Sequence, residues 1–96
     1  MKRGIVYAPR TVRDLDRIHG WIAREAGDRA VADRFIGQVL AACATLETLP
    51  ERFAAYPYAR TWRMMPFGNY LVFFKVHATV VLIGHIRHAA KRPFGG

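Results

Sequence analysis

Apolar side chains recur at every third or fourth position over two stretches in the first half of the chain. The first stretch has these apolar positions: Val12, Leu15, Ile18, Ile22 and Ala26. The second stretch has these: Val31 or Ala32, Phe35, Ile36, Val39, Leu40, Cys43, Leu46 and Leu49. This spacing places apolar residues on one face of a helix. Only Gly27 and Asp28 separate the two stretches, so the pattern predicts two antiparallel helices joined by a very short loop.

The residues that flank these stretches are typical of helix ends. Thr11 and Asp14 have the spacing of a capping box, which predicts that the first helix begins there. Gly27 is suited to end this helix, and Asp28 is suited to cap the next, because a short carboxylate accepts hydrogen bonds from free backbone amides. The second helix is expected to end before Pro50, since proline cannot continue a helix.

Shorter segments with β-branched, aromatic and alternating residues predict strands. Such segments occupy residues 4–8, 60–65, 70–76 and 79 to about 88, with turns at 66–69 and near 77–78. Because the last three strands follow one another closely, an antiparallel meander is the economical topology. The predicted fold is one α+β domain over residues 1–96. It has an N-terminal strand, the helical hairpin and a three-stranded antiparallel meander, with both helices packed on one face of the sheet.

Alternation within the last two strands assigns their side chains to two faces. We expect an apolar face under the helices, formed by Tyr70, Val72, Phe74, Val76, Val80, Leu82, Gly84 and Ile86. The opposite face is expected to present Leu71, Phe73, Val81 and Ile83, edged by Lys75, His85 and Arg87. That face is too apolar to remain bare and too charged to be a second core. The hypothesis is that it binds a partner.

Charge is divided unevenly between the two halves of the chain. The 96 residues have a net charge of +8, but residues 52–96 hold seven basic residues and none of the seven acidic ones. A region with only positive charges attracts polyanions or acidic protein segments. The sequence therefore predicts an acidic macromolecular partner.

Features of export or membrane insertion are missing from the pattern. Cys43 is the single cysteine, which excludes an internal disulfide. The most apolar stretch, residues 71–86, is interrupted by Lys75, His77 and His85, whereas a membrane span needs about 20 apolar residues. We expect a cytoplasmic protein that does not contact a membrane.

The sequence has no Gly-rich phosphate loop and no cluster with metal-ligand spacing, so we expect no cofactor and no metal. Cys43, on the apolar stripe, is expected to be a buried structural thiol. The remaining candidates for chemistry are basic: Arg60, Arg63, Arg87, His88, Lys91 and Arg92. They could hold RNA phosphates while His88 moves protons, as in a metal-free ribonuclease. Alternatively, they could pair with carboxylates of an acidic protein segment.

Three segments, in this order, carry a family resemblance over nearly the whole chain. The first helix has Asp-Leu at 14–15 and continues from Ile18 to Trp-Ile at 21–22. Residues 65–76 read Met-Pro-Phe-Gly-Asn-Tyr-Leu-Val-Phe-Phe-Lys-Val, and residues 86–93 read Ile-Arg-His-Ala-Ala-Lys-Arg-Pro. Together they resemble the RelE/ParE superfamily of bacterial toxin–antitoxin toxins, and the last segment is similar to the ending of the ParE branch. The resemblance implies a two-helix hairpin on an antiparallel sheet.

The resemblance also implies a partner. A cognate antitoxin would neutralise the toxin with a flexible segment, acidic in part, that wraps around it. The antitoxin would bind operator DNA, which the toxin reaches only indirectly as a co-repressor. The surface expected to bind the antitoxin or the target comprises Arg60, Arg63, Leu71, Phe73, Lys75, Val81, Ile83, His85, Arg87, His88, Lys91 and Arg92.

Two activities occur within this superfamily. RelE-type members cut messenger RNA in the translating ribosome, and here Arg63, His88 and Lys91 would be the catalytic residues. ParE-type members inhibit DNA gyrase and need no nuclease site. The chain has no tyrosine after Tyr70 and no acidic residue after Glu51, so the usual proton-transfer residues of a nuclease have no counterpart. We therefore favour the ParE-type activity, with an inactive toxin-like binding module or co-repressor as a further alternative.

Overall fold

A computed structural model describes residues 2–93 of the chain, in which two helices pack on one face of a four-stranded sheet. In chain order the elements are β1 (Gly4–Tyr7), α1 (Pro9–Ala26), α2 (Arg29–Ala44), β2 (Arg63–Phe67), β3 (Tyr70–Val76) and β4 (Val80–His88). Two short 3₁₀ turns, Thr45–Glu47 and Pro50–Arg52, follow α2. The predicted α+β fold is confirmed. Within the described residues, no helix is long and apolar enough to cross a membrane.

The strand order in the sheet is β1-β4-β3-β2. The last three strands form the predicted antiparallel meander, whereas β1 joins the sheet as an edge strand parallel to β4. As a result, β4 is paired on both sides, and α1 packs across it. This strand carries more of the predicted site residues than any other element, so its register decides where those residues lie.

The second strand begins and ends later than the alternating pattern predicts. Its bounds are Arg63–Phe67 rather than 60–65, so Pro66 lies in the strand and not in the turn. Proline is accepted there because β2 is an edge strand, whose outward side needs no amide donor. The turn to β3 consists of Gly68 and Asn69 alone, and Gly68 adopts a φ of +55° that suits a tight hairpin turn.

The start of α1 also differs from the prediction, because the capping box does not form. The helix begins at Pro9, whose fixed φ suits the first helical position, and no side chain caps it. Thr11 and Asp14 are buried instead, on the side of the helix that faces β4. The cap predicted for α2 is confirmed, since the Asp28 carboxylate accepts a 2.9 Å hydrogen bond from the Ala30 amide.

A β-bulge in β4 changes which of its side chains face the helices. The register of β3 and β4 shifts between Phe73 and Phe74, which leaves Gly84 as an extra residue in β4. The predicted face of β4 is therefore wrong before the bulge. Val81 and Ile83, expected on the outer face, are 0% exposed and belong to the core under the helices. Strict alternation along a sequence cannot reveal an extra residue, so the assignment fails at this point.

The chain itself covers part of the outer face of the sheet. Residues 53–62 pass beneath the sheet and form a second apolar cluster around Phe73, which is 1% exposed. His85 is 4% exposed, and its ring centre lies 5.1 Å from that of Trp62 in the same covering segment. The hypothesis that the outer face is open to a partner is therefore wrong at Phe73 and His85. Leu71 remains half-buried at the open end of this face.

Candidate functional site

The basic residues of the predicted site fall into two groups instead of one cluster. Arg60 and Arg63 line a cleft beside the start of β2, together with these residues: Arg3, Glu51, Thr61, Val76, His77 and Ala78. The other group lies at or just beyond the end of β4: Arg87, His88, Lys91 and Arg92. The sequence predicted that these basic residues form one cluster, but in the structure they lie in two separate places.

Strand register gives the separation of the two groups. Arg63 pairs with Phe74 of β3, whereas His88 pairs with Tyr70, four residues earlier in β3. The two residues are therefore offset by roughly 13 Å along the strands and by roughly 10 Å across two strand spacings. The proposed nuclease residues Arg63 and His88 do not converge on one point in this structure.

The guanidinium of Arg63 contacts backbone oxygens of the neighbouring loop. Its Nη1 donates a 2.6 Å hydrogen bond to the carbonyl of Phe53 and a longer one, 3.4 Å, to that of Glu51. Nearby, Arg3 pairs with the Glu51 carboxylate at 3.5 Å and donates to the His77 carbonyl at 2.8 Å. These contacts tie the loop before β2 to the turn after β3. Two of the cationic side chains that line this cleft, Arg3 and Arg63, are therefore bound to the chain's own backbone and to Glu51.

A hydrogen-bonded turn fixes the residues that follow β4. The amide of Ala90 donates to His88 Nδ1 at 3.0 Å, and the amide of Lys91 donates to the His88 carbonyl at 3.0 Å. The guanidinium of Arg87 donates to the Arg92 carbonyl at 2.8 Å. Because Nδ1 accepts an amide hydrogen, a neutral His88 ring carries its own proton on Nε2. The turn brings Lys91 back beside Arg87 and close to α1.

Three arginines of α1 complete the basic surface at this end. The α1 cleft encloses about 490 Å³ and is lined by Arg10, Arg13, Asp14, Arg17, Ile86, Arg87 and Lys91. Asp14 is the one acidic residue that lines it within residues 2–93. Its carboxylate already binds Arg17 at 3.0 Å and the Ile86 amide at 2.9 Å. Three further cationic side chains, Arg10, Arg13 and Lys91, face the same cleft, beside Arg87.

The sequence analysis missed the arginines of α1, although their spacing carried a signal. Arg10, Arg13 and Arg17 are three and four positions apart, which places them on one face of a helix. The positive surface was predicted from residues 52–96 alone, because acidic residues are missing there. Because α1 also contains acidic residues, the net charge of residues 1–51 did not reveal the arginines on one face of this helix.

A more apolar groove continues from the α1 cleft along the same helix. The Trp21 groove is lined by Arg17, Ile18, Trp21, Arg24, Tyr70, His88 and Lys91. It shares Arg17 and Lys91 with the α1 cleft, so the two form one continuous surface. The Trp21 side chain is 52% exposed there, whereas Ile18 beneath it belongs to the core. This surface combines cationic and apolar side chains, as protein-binding sites commonly do.

Some of the residues predicted to lie on the outer face of the sheet are accessible, and others are covered. The Lys75 ammonium lies 4.4 Å from the centre of the Trp62 ring, which is a cation–π contact within the chain. Leu71 lines a shallow groove with Tyr58 and with the basic residues at the end of β4. On this face Phe73 is covered and the side chains of Val81 and Ile83 lie in the core, whereas Leu71 and Lys75 stay partly exposed.

Two buried groups have strongly shifted pKa values. Burial, assisted by the nearby Arg10 and Arg87 charges and opposed by that of Asp14, lowers the pKa of His85 to about 4. The imidazole is therefore neutral near pH 7 and unsuited to donate a proton there. Burial also raises the pKa of Cys43 to about 11, and its side chain is fully buried, which confirms the predicted buried thiol. Within residues 2–93, no group of three or more His, Cys, Asp or Glu is arranged to hold a metal ion.

A match to a protein-family model identifies the family to which this chain belongs. The model, described as the ParE toxin of type II toxin–antitoxin system, parDE, matches residues 5–93. The chain belongs to this family. The resemblance to the RelE/ParE superfamily, and to its ParE branch, is therefore confirmed. As a member of the ParE family, the chain is a toxin of a type II toxin–antitoxin pair, and the family implies that it binds a cognate antitoxin.

Solved structures similar to this ParE-family toxin show the same fold. A chain of the chromosomal ParDE TA system from P. aeruginosa has a TM-score of 0.80 and 16% identity, over 91% of this chain and 96% of that chain. YafQ from E. coli strain BL21(DE3) has a TM-score of 0.52 and 13% identity, over 93% of this chain and 96% of that chain. At these identities the likeness concerns the fold alone. No curated protein sequence matches the ParE-family chain.

Proposed function

We propose that this ParE-family toxin inhibits DNA gyrase in the cytoplasm and is held inactive there by its cognate antitoxin. The observation that carries the proposal is the match of the ParE toxin model to residues 5–93, almost the full length of the chain. A gyrase inhibitor needs a surface that binds a protein and does not need groups that cleave a phosphodiester. The structure offers such a surface at the end of β4 and along α1.

The positions of the titratable groups support a binding function over messenger RNA cleavage. A metal-free nuclease needs an acid and a base that both reach the same phosphodiester. Arg63 and His88 lie at opposite ends of the sheet, and Arg63 holds backbone carbonyls. His85 is neutral and buried. No acidic residue follows Glu51 and no tyrosine follows Tyr70, so the end of the chain lacks the carboxylate or tyrosine expected of a RelE-type nuclease.

The first experiment compares the two activities with the same purified chain. Gyrase is assayed for supercoiling of relaxed plasmid, and translating ribosomes are assayed in parallel for cleavage of a labelled messenger RNA. We expect supercoiling to be inhibited while the messenger RNA stays intact. Cleaved messenger RNA with normal supercoiling would overturn the proposal and make Arg63, His88 and Lys91 the catalytic candidates of a ribosome-dependent nuclease.

Single substitutions separate the two mechanisms further. Arg63→Ala, His88→Ala and Lys91→Ala are compared in both assays after circular dichroism has shown that each variant is folded. A nuclease should lose roughly 100-fold or more in rate when a proton-transfer group is removed. A protein-binding toxin should instead lose affinity in steps of about 1–3 kcal/mol.

Growth of cells provides the test against an inactive family member. Cells that express the chain without its antitoxin should stop growing if the chain is a toxin. Normal growth, at an expression level confirmed by immunoblot, would contradict gyrase inhibition and favour a binding module or co-repressor. Coexpression with the neighbouring antitoxin gene should restore growth.

A further inference from the structure

Leu49 combines a strained backbone with an exposed apolar side chain. Among residues 2–93 it is the one residue other than glycine with a positive φ, +49°. This left-handed conformation is unfavourable for a bulky side chain, because Cβ approaches the following carbonyl oxygen, and the next residue, Pro50, favours an extended conformation instead. The Leu49 side chain is also 71% exposed. Neither feature stabilises the fold, so both indicate a contact with another molecule.

Hydrogen bonds and buried neighbours fix the turn that carries Leu49. Arg52 Nη1 donates to the Leu49 carbonyl at 3.1 Å and to the Thr48 carbonyl at 2.7 Å. The Arg52 amide donates to the same Leu49 carbonyl at 3.1 Å. Leu46 and Pro50, on either side, are fully buried. The Leu49 side chain therefore projects into solvent from a backbone that is already ordered, so its binding to a partner would cost little conformational entropy.

The Leu49 turn adjoins the cleft beside β2. The pocket beside Leu49 has a volume of about 350 Å³, and three of its lining residues also line that cleft: Arg3, Glu51 and Ala78. Glu51 is paired with Arg3 at 3.5 Å, but the exposed Arg60 of the cleft forms no ion pair or hydrogen bond within residues 2–93. An apolar projection and an unpaired cation therefore belong to one continuous surface. We call it the Leu49 surface, and it consists of Leu49, Arg3, Glu51, Ala78 and Arg60.

The Leu49 surface lies at the other end of the sheet from the α1 cleft. Arg3 precedes β1, and its guanidinium donates to the His77 carbonyl just before β4. The α1 cleft is lined by Arg87, near the end of β4. Arg87 is seven positions after Val80, the first residue of β4, which corresponds to about 23 Å along the strand. The two surfaces are therefore distinct.

We infer that the Leu49 surface docks on a protein partner whose own surface has an apolar pocket bordered by carboxylates. The Leu49 side chain enters this pocket, and Arg60 pairs with a carboxylate at its edge. In naming the partner, the inference rests on the proposed function, because the pocket would then belong to DNA gyrase. A contact with gyrase is thereby placed at the end of the sheet opposite the α1 cleft.

Charge argues against a nucleic acid as the ligand of Leu49. Glu47 and Glu51 flank this residue in the chain, and each carboxylate is paired with a cation at 3.5 Å, Lys2 and Arg3 respectively. These pairs reduce the positive charge available to phosphates, which dominate the affinity of proteins for nucleic acids. A protein pocket needs only an apolar interior for Leu49 and one carboxylate at its edge, and so matches the surface better.

Leu49→Gly tests the apolar contact without loss of the fold. It removes the side chain and relieves the strain, because glycine adopts a positive φ readily, so the melting temperature should fall by less than about 4 °C. The control is Leu40→Ala, which removes another exposed leucine, on α2. Leu49→Gly should need at least about tenfold more protein for the same inhibition of gyrase supercoiling, and Leu40→Ala less than about threefold more. Full inhibition by Leu49→Gly, or equal losses in the two variants, would overturn the inference.

A conservative variant and two charge reversals define the contact further. Leu49→Met retains an apolar side chain of similar volume and should keep inhibition within about threefold of the parent chain. Arg60→Glu should weaken binding to immobilised gyrase by about tenfold, with a difference that shrinks as salt is added. Arg29→Glu makes the same charge change at an exposed position of α2 and should weaken binding by about threefold at most. Equal losses for the two reversals would show that only net charge matters and would contradict the inference.

Growth of cells that lack the antitoxin separates failure of this inference from failure of the proposed function. Growth arrest without gyrase inhibition, relieved in Leu49→Gly but not in Leu40→Ala, would leave the docking surface standing for another protein target. Gyrase inhibition that Leu49→Gly retains in full would exclude the docking surface and leave the proposed function standing. A parent chain that neither arrests growth nor binds gyrase would overturn both.

Discussion

The carboxylate of Asp14 accepts a 2.9 Å hydrogen bond from the backbone amide of Ile86, 72 positions later in the chain. On the other side of the bulge at Gly84, the Thr11 hydroxyl donates to the Ile83 carbonyl at 2.8 Å. A bulge removes backbone groups from the regular ladder of the sheet, and buried groups of that kind need other partners. Side chains of α1 supply them here. The same contacts fix the end of β4 against α1, and so shape the α1 cleft.

Loss of the Asp14 carboxylate should destabilise the fold strongly. Asp14→Ala leaves the buried Ile86 amide without its acceptor, so we expect a loss of about 2–3 kcal/mol in the free energy of unfolding. Urea unfolding followed by circular dichroism measures it. Asp16→Ala is the matched control, since Asp16 is exposed on the same helix, and it should change stability by about 0.5 kcal/mol or less. Equal effects of the two substitutions would show that the hydrogen bond between Asp14 and Ile86 adds no measurable stability.

The Thr11 hydroxyl should matter less than the Asp14 carboxylate. Thr11→Val keeps the shape of the side chain and removes its hydrogen bond, while the Ile83 carbonyl still accepts a 2.9 Å bond from the Ala8 amide. We therefore expect a loss of about 1 kcal/mol in the same urea experiment. A loss larger than that of Asp14→Ala would reverse the order that the contacts predict.

The bulge itself depends on a glycine. A Cβ atom at Gly84 would collide with the Trp62 ring, so Gly84→Ala should destabilise the fold by about 1–3 kcal/mol. Gly37→Ala in α2 is the control, because open space surrounds that position and alanine favours a helix by up to about 1 kcal/mol. Thermal unfolding of both variants measures the contrast. If Gly84→Ala is as stable as the parent chain, Trp62 does not lie over the bulge.

The elements that the sequence predicted correctly are those that local pattern determines. Both helices follow from the three-and-four spacing of apolar residues, although α2 ends at Ala44 and not just before Pro50. The Asp28 cap follows from its place between the helices. The bounds of β3 agree with the prediction, because Tyr70–Val76 lies between two turns with clear residue signals. In each case the information is contained within a few neighbouring residues.

The features that the sequence did not predict depend on contacts between distant segments. The pattern of β4 shows no extra residue, because Gly84 is required only by the Trp62 ring that packs on it. Thr11 and Asp14 match a local cap, but their tertiary contacts with β4 replace it. The α1 cleft likewise joins arginines near one end of the chain to Lys91 near the other. No local pattern relates such positions.

Stability should fall as the pH is lowered below about 6.5, because of His85. Burial holds the pKa of this imidazole at about 4 in the folded chain, below its ordinary value of 6.5. Between these two values the unfolded chain binds a proton that the folded chain does not, so protonation favours unfolding. The free energy of unfolding should therefore decrease with falling pH, by up to about 1.4 kcal/mol per unit. Urea midpoints measured from pH about 7 to about 5 provide the test.

A substitution at His85 identifies the group responsible for that slope. His85→Gln cannot take up a proton, so its stability should depend less on pH over the same range, whatever its absolute stability. The charged residues that act on His85 are Arg10, Arg87 and Asp14, and all three are retained in this variant. An unchanged slope in His85→Gln would mean that another group causes the pH dependence.

The Cys43 thiol should not react while the chain is folded. It is fully buried on α2, and burial raises its pKa to about 11, so both access and thiolate are lacking near pH 7. We expect iodoacetamide to modify native Cys43 roughly 100-fold more slowly than a cysteine moved to an exposed position of the same helix, Cys43→Ala/Ala41→Cys. Mass spectrometry follows both reactions, and urea should abolish the difference. Rapid labelling of the native thiol, at the rate of the control, would show that α2 does not pack on the sheet as described.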